Sequence, residues 1–130
     1  MEQPIGPIQP FFIVASLSRA AEFYERYLGF DVRHSSPAEE PFFAILGRGS
    51  VQIHVKEIGA DVPPQPNWTR HAWAPWDAFV YAGDPDGLAV ELAGRGLELH
   101  TDLRDRDDGL RGFEVRDPDG YVLFFGRPRS

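Results

Sequence analysis

One histidine and three tryptophans offer this chain its most distinctive chemistry. His54 stands in Val51-Gln52-Ile53-His54-Val55-Lys56. Strand alternation puts Gln52, His54 and Lys56 on one face and turns Val51, Ile53 and Val55 to the other, where they pack under a helix. An imidazole on such a polar face either touches a ligand or is satisfied by water or a neighbour, and the residue types leave both uses open. Trp68, Trp73 and Trp76 lie in or beside a proline-rich stretch, with Arg70 and His71 between them. Indoles in such a loop either clamp a neighbouring subunit or line a hollow and stack on a planar ligand.

Other chemistries are removed by what the sequence lacks. There are no cysteines, so disulfides, thiolate metal sites and cysteine nucleophiles are excluded. Ser16, Ser18 and Ser50 have no nucleophile-elbow context, and no Gly-Lys-Ser/Thr follows Gly94-Arg95-Gly96 to make a phosphate loop. A net charge of −7 opposes nucleic-acid binding, which needs a basic surface, and is compatible with a cationic or neutral small molecule. No apolar run is long enough to span a membrane. Met1-Glu2-Gln3-Pro4 lacks the basic and apolar regions of a signal peptide, so the expected location is cytoplasmic. The run Arg104-Asp105-Arg106-Asp107-Asp108 reads as a solvated loop.

The elements that must position these residues come in two similar sets. Ile8 to Val14 predicts a strand, interrupted by Pro10. Ser16 or Ser18 caps a helix whose apolar positions are Leu17, Ala20, Ala21, Tyr24, Tyr27 and Leu28, closed by Gly29. Phe30-Asp31-Val32 begins a second strand, Pro37 to Pro41 is a loop, and Phe42–Leu46 with Ser50–Lys56 forms a hairpin. Residues 59–76, carrying Pro63, Pro64, Pro66 and Pro75, predict a linker with no regular element. The order then returns. A strand over 77–82 is followed by Asp84 as N-cap, Pro85 at the first helical position and a helix from Leu88 to Arg95 ended by Gly96. Leu97 to His100 starts a strand, and Phe113–Arg116 pairs with Tyr121–Phe125 around the turn Asp117-Pro118-Asp119-Gly120. Gln9 superposes on Asp77, Ser16 on Asp84, Tyr24 on Leu92 and Tyr27 on Arg95, each 68 residues apart, while His54 and Phe124 lie 70 apart. The chain therefore predicts one α+β domain over residues 1–130, built from two βαβββ modules at 5–58 and 77–130 joined by the linker at 59–76.

Three stretches, Phe23-Tyr24-Glu25-Arg26-Tyr27-Leu28-Gly29-Phe30, Glu91-Leu92-Ala93-Gly94-Arg95-Gly96 and Phe113-Glu114-Val115-Arg116-Asp117-Pro118-Asp119-Gly120, together with the repeat, resemble the vicinal oxygen chelate superfamily of glyoxalases, extradiol dioxygenases and bleomycin-resistance proteins. The resemblance implies that the modules form a curved mixed sheet, cup-shaped, with helices on the outer face. It also implies a homodimer with a small-molecule ligand in each cup. Metal ligands in that superfamily come from the first and last strands of each module, and position by position these are Gln9, His54, Asp77 and Phe124. Gln9, His54 and Asp77 are the alternative metal set, for one divalent ion such as Fe, Zn, Ni or Mn, serving a lyase, isomerase or dioxygenase. Phe124 cannot coordinate and offers a stacking surface instead. The reading that follows is a metal-independent binding protein, with no cofactor and no catalytic residue, for an aromatic or cationic compound. Its expected ligand contacts are Gln9, Phe11, His54, Asp77, Phe79, Phe113, Phe124 and Trp73.

Overall fold

The computed structural model describes residues 2–73 and 75–129, so Met1 and Ser130, at the ends of the sequence reading, lie outside it. The first unit runs β1 (Phe11–Ile13), α1 (Leu17–Leu28), β2 (Asp31–Ser36), β3 (Phe43–Arg48) and β4 (Val51–Lys56). The second repeats it with β5 (Ala78–Tyr81), α2 (Pro85–Gly94), β6 (Thr101–Asp105), β7 (Leu110–Arg116) and β8 (Val122–Pro128). Each unit forms its own four-stranded mixed sheet, ordered β1-β4-β3-β2 and β5-β8-β7-β6. The first strand of each unit lies parallel to the last. Each helix packs on its own unit's sheet, and the sheets stay open as a cup instead of closing into a barrel.

Local chemistry explains the boundaries. Ser16 caps α1 by accepting from the Arg19 amide, and Gly29 ends it at φ 71°, a conformation that a Cβ disfavours. Leu17, Ala20, Tyr24 and Leu28 form the buried stripe of that helix. Asp84 caps α2 by accepting from Gly87 N, and Pro85 takes the first helical position, as the sequence predicts. The strand expected from Leu97 begins at Thr101, because the Leu97 amide still bonds back to Leu92 O. Arg104 and Asp105 belong to β6 and not to a loop. The first strand shrinks to Phe11–Ile13, since Pro10 has no amide to donate. The predicted linker at 59–76 includes Ala74, which lies outside the described residues. Among those described it carries a 3-10 turn at Asn67–Thr69, which follows Pro66 and contains no proline itself, and an isolated bridge between Gly59 and Val62.

Alternation sorts the side chains. Phe12, Ala44, Leu46, Ile53 and Val55 of the first unit, with Phe113, Val115, Leu123 and Phe125 of the second, join the helix stripes in one core. Two seams hold the units together. At the first, Tyr24 OH donates to Asp117 Oδ2 at 2.8 Å, Ala15 N to Asp119 Oδ1 at 3.0 Å and Tyr121 OH to Ile13 O at 2.7 Å, while Phe12 stacks on Tyr121 at 4.2 Å. At the second, Arg48 grips Glu91 through two bonds of 2.8 Å and also donates to Leu28 O. That pairing holds the Glu91 carboxyl below its usual range, the Arg48 bond being the largest cause.

Asp117 is nearly buried, and burial pushes its carboxyl from an ordinary 3.8 up to about 6, against the pull of the Tyr24, Tyr121 and Asp119 donors. Across that window the folded state binds the proton more tightly than the unfolded chain does. This group's contribution is therefore fully present below pH 4 and fades as pH rises to about 6, by on the order of 3 kcal/mol. Denaturant melts from pH 4 to 6 should show Asp117→Asn losing that slope relative to the wild type, and identical slopes would contradict the account. Tyr24→Phe removes a donor from a buried carboxylate and should cost about 1–3 kcal/mol in the same melts at pH 7.

Candidate functional site

The equivalence of the two units is visible in register: Phe11 pairs with His54 across β1 and β4, as Phe79 pairs with Phe124 across β5 and β8. The same positions carry different chemistry in the two halves. On the first sheet, His54 Nε2 lies 2.6 Å from Gln9 Oε1, and the imidazole stacks on Phe11 at 4.3 Å and 13°. Phe43 flanks the pair, 5.7 Å from the imidazole and 6.4 Å from Phe11. The amide oxygen accepts at Nε2, and the buried Nδ1 has no hydrogen-bond partner among the described residues. Phe11 is 58 % exposed, so this face is open, with Lys56 Nζ 5.9 Å above the Phe11 ring.

The second sheet is covered. Phe124 is fully buried although it points away from the helix side. Its ring lies down on the sheet over the paired glycines Gly112 and Gly126, where a Cβ on either would strike it. Trp76 stacks on it at 4.2 Å and 19°, and Phe79 flanks it at 5.4 Å. The indole Nε1 donates to Glu114 Oε2 at 2.7 Å. Glu114, only 8 % exposed, has Arg106 Nη1 at 3.7 Å and His100 Nε2 at 3.9 Å. The Arg106 guanidinium also sits 4.9 Å from the Trp76 ring centre and 5.6 Å from that of Phe124. The result is a phenyl–indole stack with a carboxylate at its edge and a cation beside it.

Several expected contacts lie elsewhere. Phe113 is fully buried on the helix side, stacked on Phe125 at 5.6 Å, and does not reach the cup. It neighbours Glu114 in the strand, and alternation sends the two to opposite faces. Trp73 is 84 % exposed on the loop surface. Asp77 spends both oxygens on backbone amides, Asn67 N at 2.8 Å and Val122 N at 2.9 Å, so it fastens the linker to β8. Sequence reading missed Glu114 and His100 and took Arg106 for part of a solvated loop, while for Trp76, in or beside the linker, stacking in a hollow was one of its two expected uses. A carboxylate between the core residues Phe113 and Val115 was the available signal, because alternation sends it to the other face.

The superfamily's metal does not fit this donor set. Gln9 and His54 are hydrogen-bonded to each other, each Asp77 oxygen already accepts a backbone amide, and the fourth position is the Phe124 ring under an indole. Among the described residues no three His, Cys, Asp or Glu side chains gather to hold an ion.

Because a Cβ at Gly126 would strike both the Arg111 carbonyl across the ladder and the Phe124 ring, Gly126→Ala should destabilise the protein by about 1–3 kcal/mol, as overpacking does. It should also move the Trp76 emission, read by thermal melt and fluorescence. An unshifted melt would mean that the ring does not rest there.

The model of the Glyoxalase/Bleomycin resistance protein/Dioxygenase superfamily matches residues 5–125. Among solved structures, TioX from Micromonospora sp. ML1 is similar at a TM-score of 0.70 and 24% identity, over 95% of this chain and 99% of that one. The bleomycin-binding protein of bleomycin-producing Streptomyces verticillus, complexed with copper(II)-bleomycin, is similar at 0.67 and 23%, over 96% and 97%. TnmS3, an antibiotic binding protein from Streptomyces sp. CB03234, is similar at 0.70 and 18%, over 98% and 99%. At these identities the likeness is one of fold. No curated protein sequence matches the chain significantly.

Proposed function

The chain belongs to the Glyoxalase/Bleomycin resistance protein/Dioxygenase superfamily, and on that footing we propose that it captures flat aromatic compounds in its cup, without a resident metal and without a chemical step. The observation that carries this reading is the Phe124–Trp76 stack, which stands where a chelating corner would be needed. Rings held in fixed orientation lose little entropy on binding a planar partner, and each aromatic contact contributes about 0.5–1.5 kcal/mol beyond area burial. On the first sheet, Phe11, Phe43 and the Gln9–His54 pair supply an open aromatic wall. The net charge of −7 favours approach of a cationic compound over an anionic one. Solved structures of this fold include proteins named for binding bleomycin or another antibiotic, which supports a drug-like ligand for this one. A homodimer in the cytoplasm, each cup completed by the partner, is part of the same proposal. Among the described residues no helix is long and apolar enough to cross a membrane.

Tryptophan-fluorescence titration with a panel of planar drugs, bleomycin among them, should give saturable micromolar binding. Phe11→Ala or His54→Ala should weaken it by roughly tenfold, the loss of about 1.4 kcal/mol of ring contact. Exhaustive chelation should leave the affinity in place. Binding that vanishes with the chelator, or a panel that never binds, would count against capture without a metal.

A further inference from the structure

Trp76 occupies a slot with three chemically distinct walls. The Phe124 ring is its base, lying flat because Gly112 and Gly126 carry no Cβ. The Glu114 carboxylate is an acceptor at the edge, in line with the one N–H that the indole owns. Arg106 closes a side. All three walls belong to the second sheet or to the turn at its β6–β7 end, whereas the indole arrives from the proline-rich segment outside it. The Trp76 backbone is pinned independently, its carbonyl accepting from Asn67 Nδ2 at 2.9 Å and the next residue bonding to Val122 O. The indole stays partly exposed while its base and its acceptor are buried.

We infer that this slot is a ligand subsite kept filled by the protein's own indole, and that it takes a flat heteroaromatic ring bearing an edge N–H donor. The inference rests on the aromatic-capture reading and narrows it to a ligand class. The partners select the class. The phenyl base accepts any flat ring, but a buried carboxylate left facing a ring without a donor loses its hydrogen bond, so an N-alkylated or all-carbon analogue is rejected. The side chain of Trp76 competes for the same place. The apparent affinity of the wild type is therefore its intrinsic affinity scaled by the fraction of molecules with the slot open.

The probes are indole and 1-methylindole, which differ by the hydrogen in question. Trp76→Ala should bind indole at least about tenfold more tightly than the wild type, and should bind 1-methylindole at least about tenfold more weakly than indole. In Trp76→Ala/Glu114→Gln the preference for indole should shrink, because the ionised acceptor is gone. Equal affinity of Trp76→Ala for both probes, or no gain over the wild type, overturns the inference. If Trp76→Ala does not fold, fluorotryptophan-labelled wild type serves in its place, with the Trp76 resonance assigned through Trp76→Phe. Saturating indole should move that resonance and leave that of Trp68, whose Nε1 is tied to Gly120 O, unchanged. Indole bound with the Trp76 resonance unmoved overturns the inference too. Wild type that binds other planar drugs while failing these tests would make Trp76 a fixed platform, leaving aromatic capture intact and only the subsite wrong.

Discussion

The geometry of the cup depends on one buried carboxylate. Asp117 shapes the β7–β8 turn by accepting the amides of Asp119 and Tyr121, and with its other oxygen it takes the hydroxyl of Tyr24 from the first unit's helix. A turn that would otherwise be local thereby becomes the joint between two units. Asp119, from the same turn, reaches the Ala15 amide just before α1, and Tyr121 reaches Ile13 O at the end of β1. An acceptor buried this deeply is costly unless its donors are all present, so the joint holds together as a set. Arg48 and Glu91 tie the far seam, where both groups are partly solvated and the bond is accordingly weaker.

Fixed in this way, the two sheets present equivalent positions that have diverged in chemistry. In the first, a histidine is oriented by a glutamine and padded by Phe11 and Phe43. In the second, the matching position is a phenyl ring laid flat over two glycines and capped by an indole. The exchange turns a polar, potentially chelating corner into a stacking one. It also explains the role of Glu114, a carboxylate on the strand beside Phe124 that accepts the indole N–H.

Much of this was legible in the residues. The 68-residue offset that matched Ser16 with Asp84 and Tyr24 with Leu92 corresponds to two N-caps and two buried helix positions. The alternation around His54 correctly separated Gln52, His54 and Lys56 from the buried Ile53 and Val55. Errors clustered where context overrides local preference. Phe113 was expected in the cup because the residues alone did not fix which face of its strand looks inward. Its register partner is Phe125, and that pair faces the helix while Glu114 and Phe124 share the other face. Asp77 matched a ligand position by count, yet its side chain is consumed by amides that only the folded linker brings within reach.

Period, capping residues and turn chemistry act over a few neighbours, so the sequence by itself determined the two βαβββ units, their helix starts and the absence of thiol chemistry. The contents of the cup are a different kind of fact. Trp76 reaches Phe124 and Glu114 from 48 and 38 positions away, and Tyr24 reaches Asp117 from 93. Pairings at that separation leave no periodic trace, because they are set by sheet register and by how the units meet. Only the tertiary structure decided that the second half of the cup is an aromatic stack with an acid at its edge.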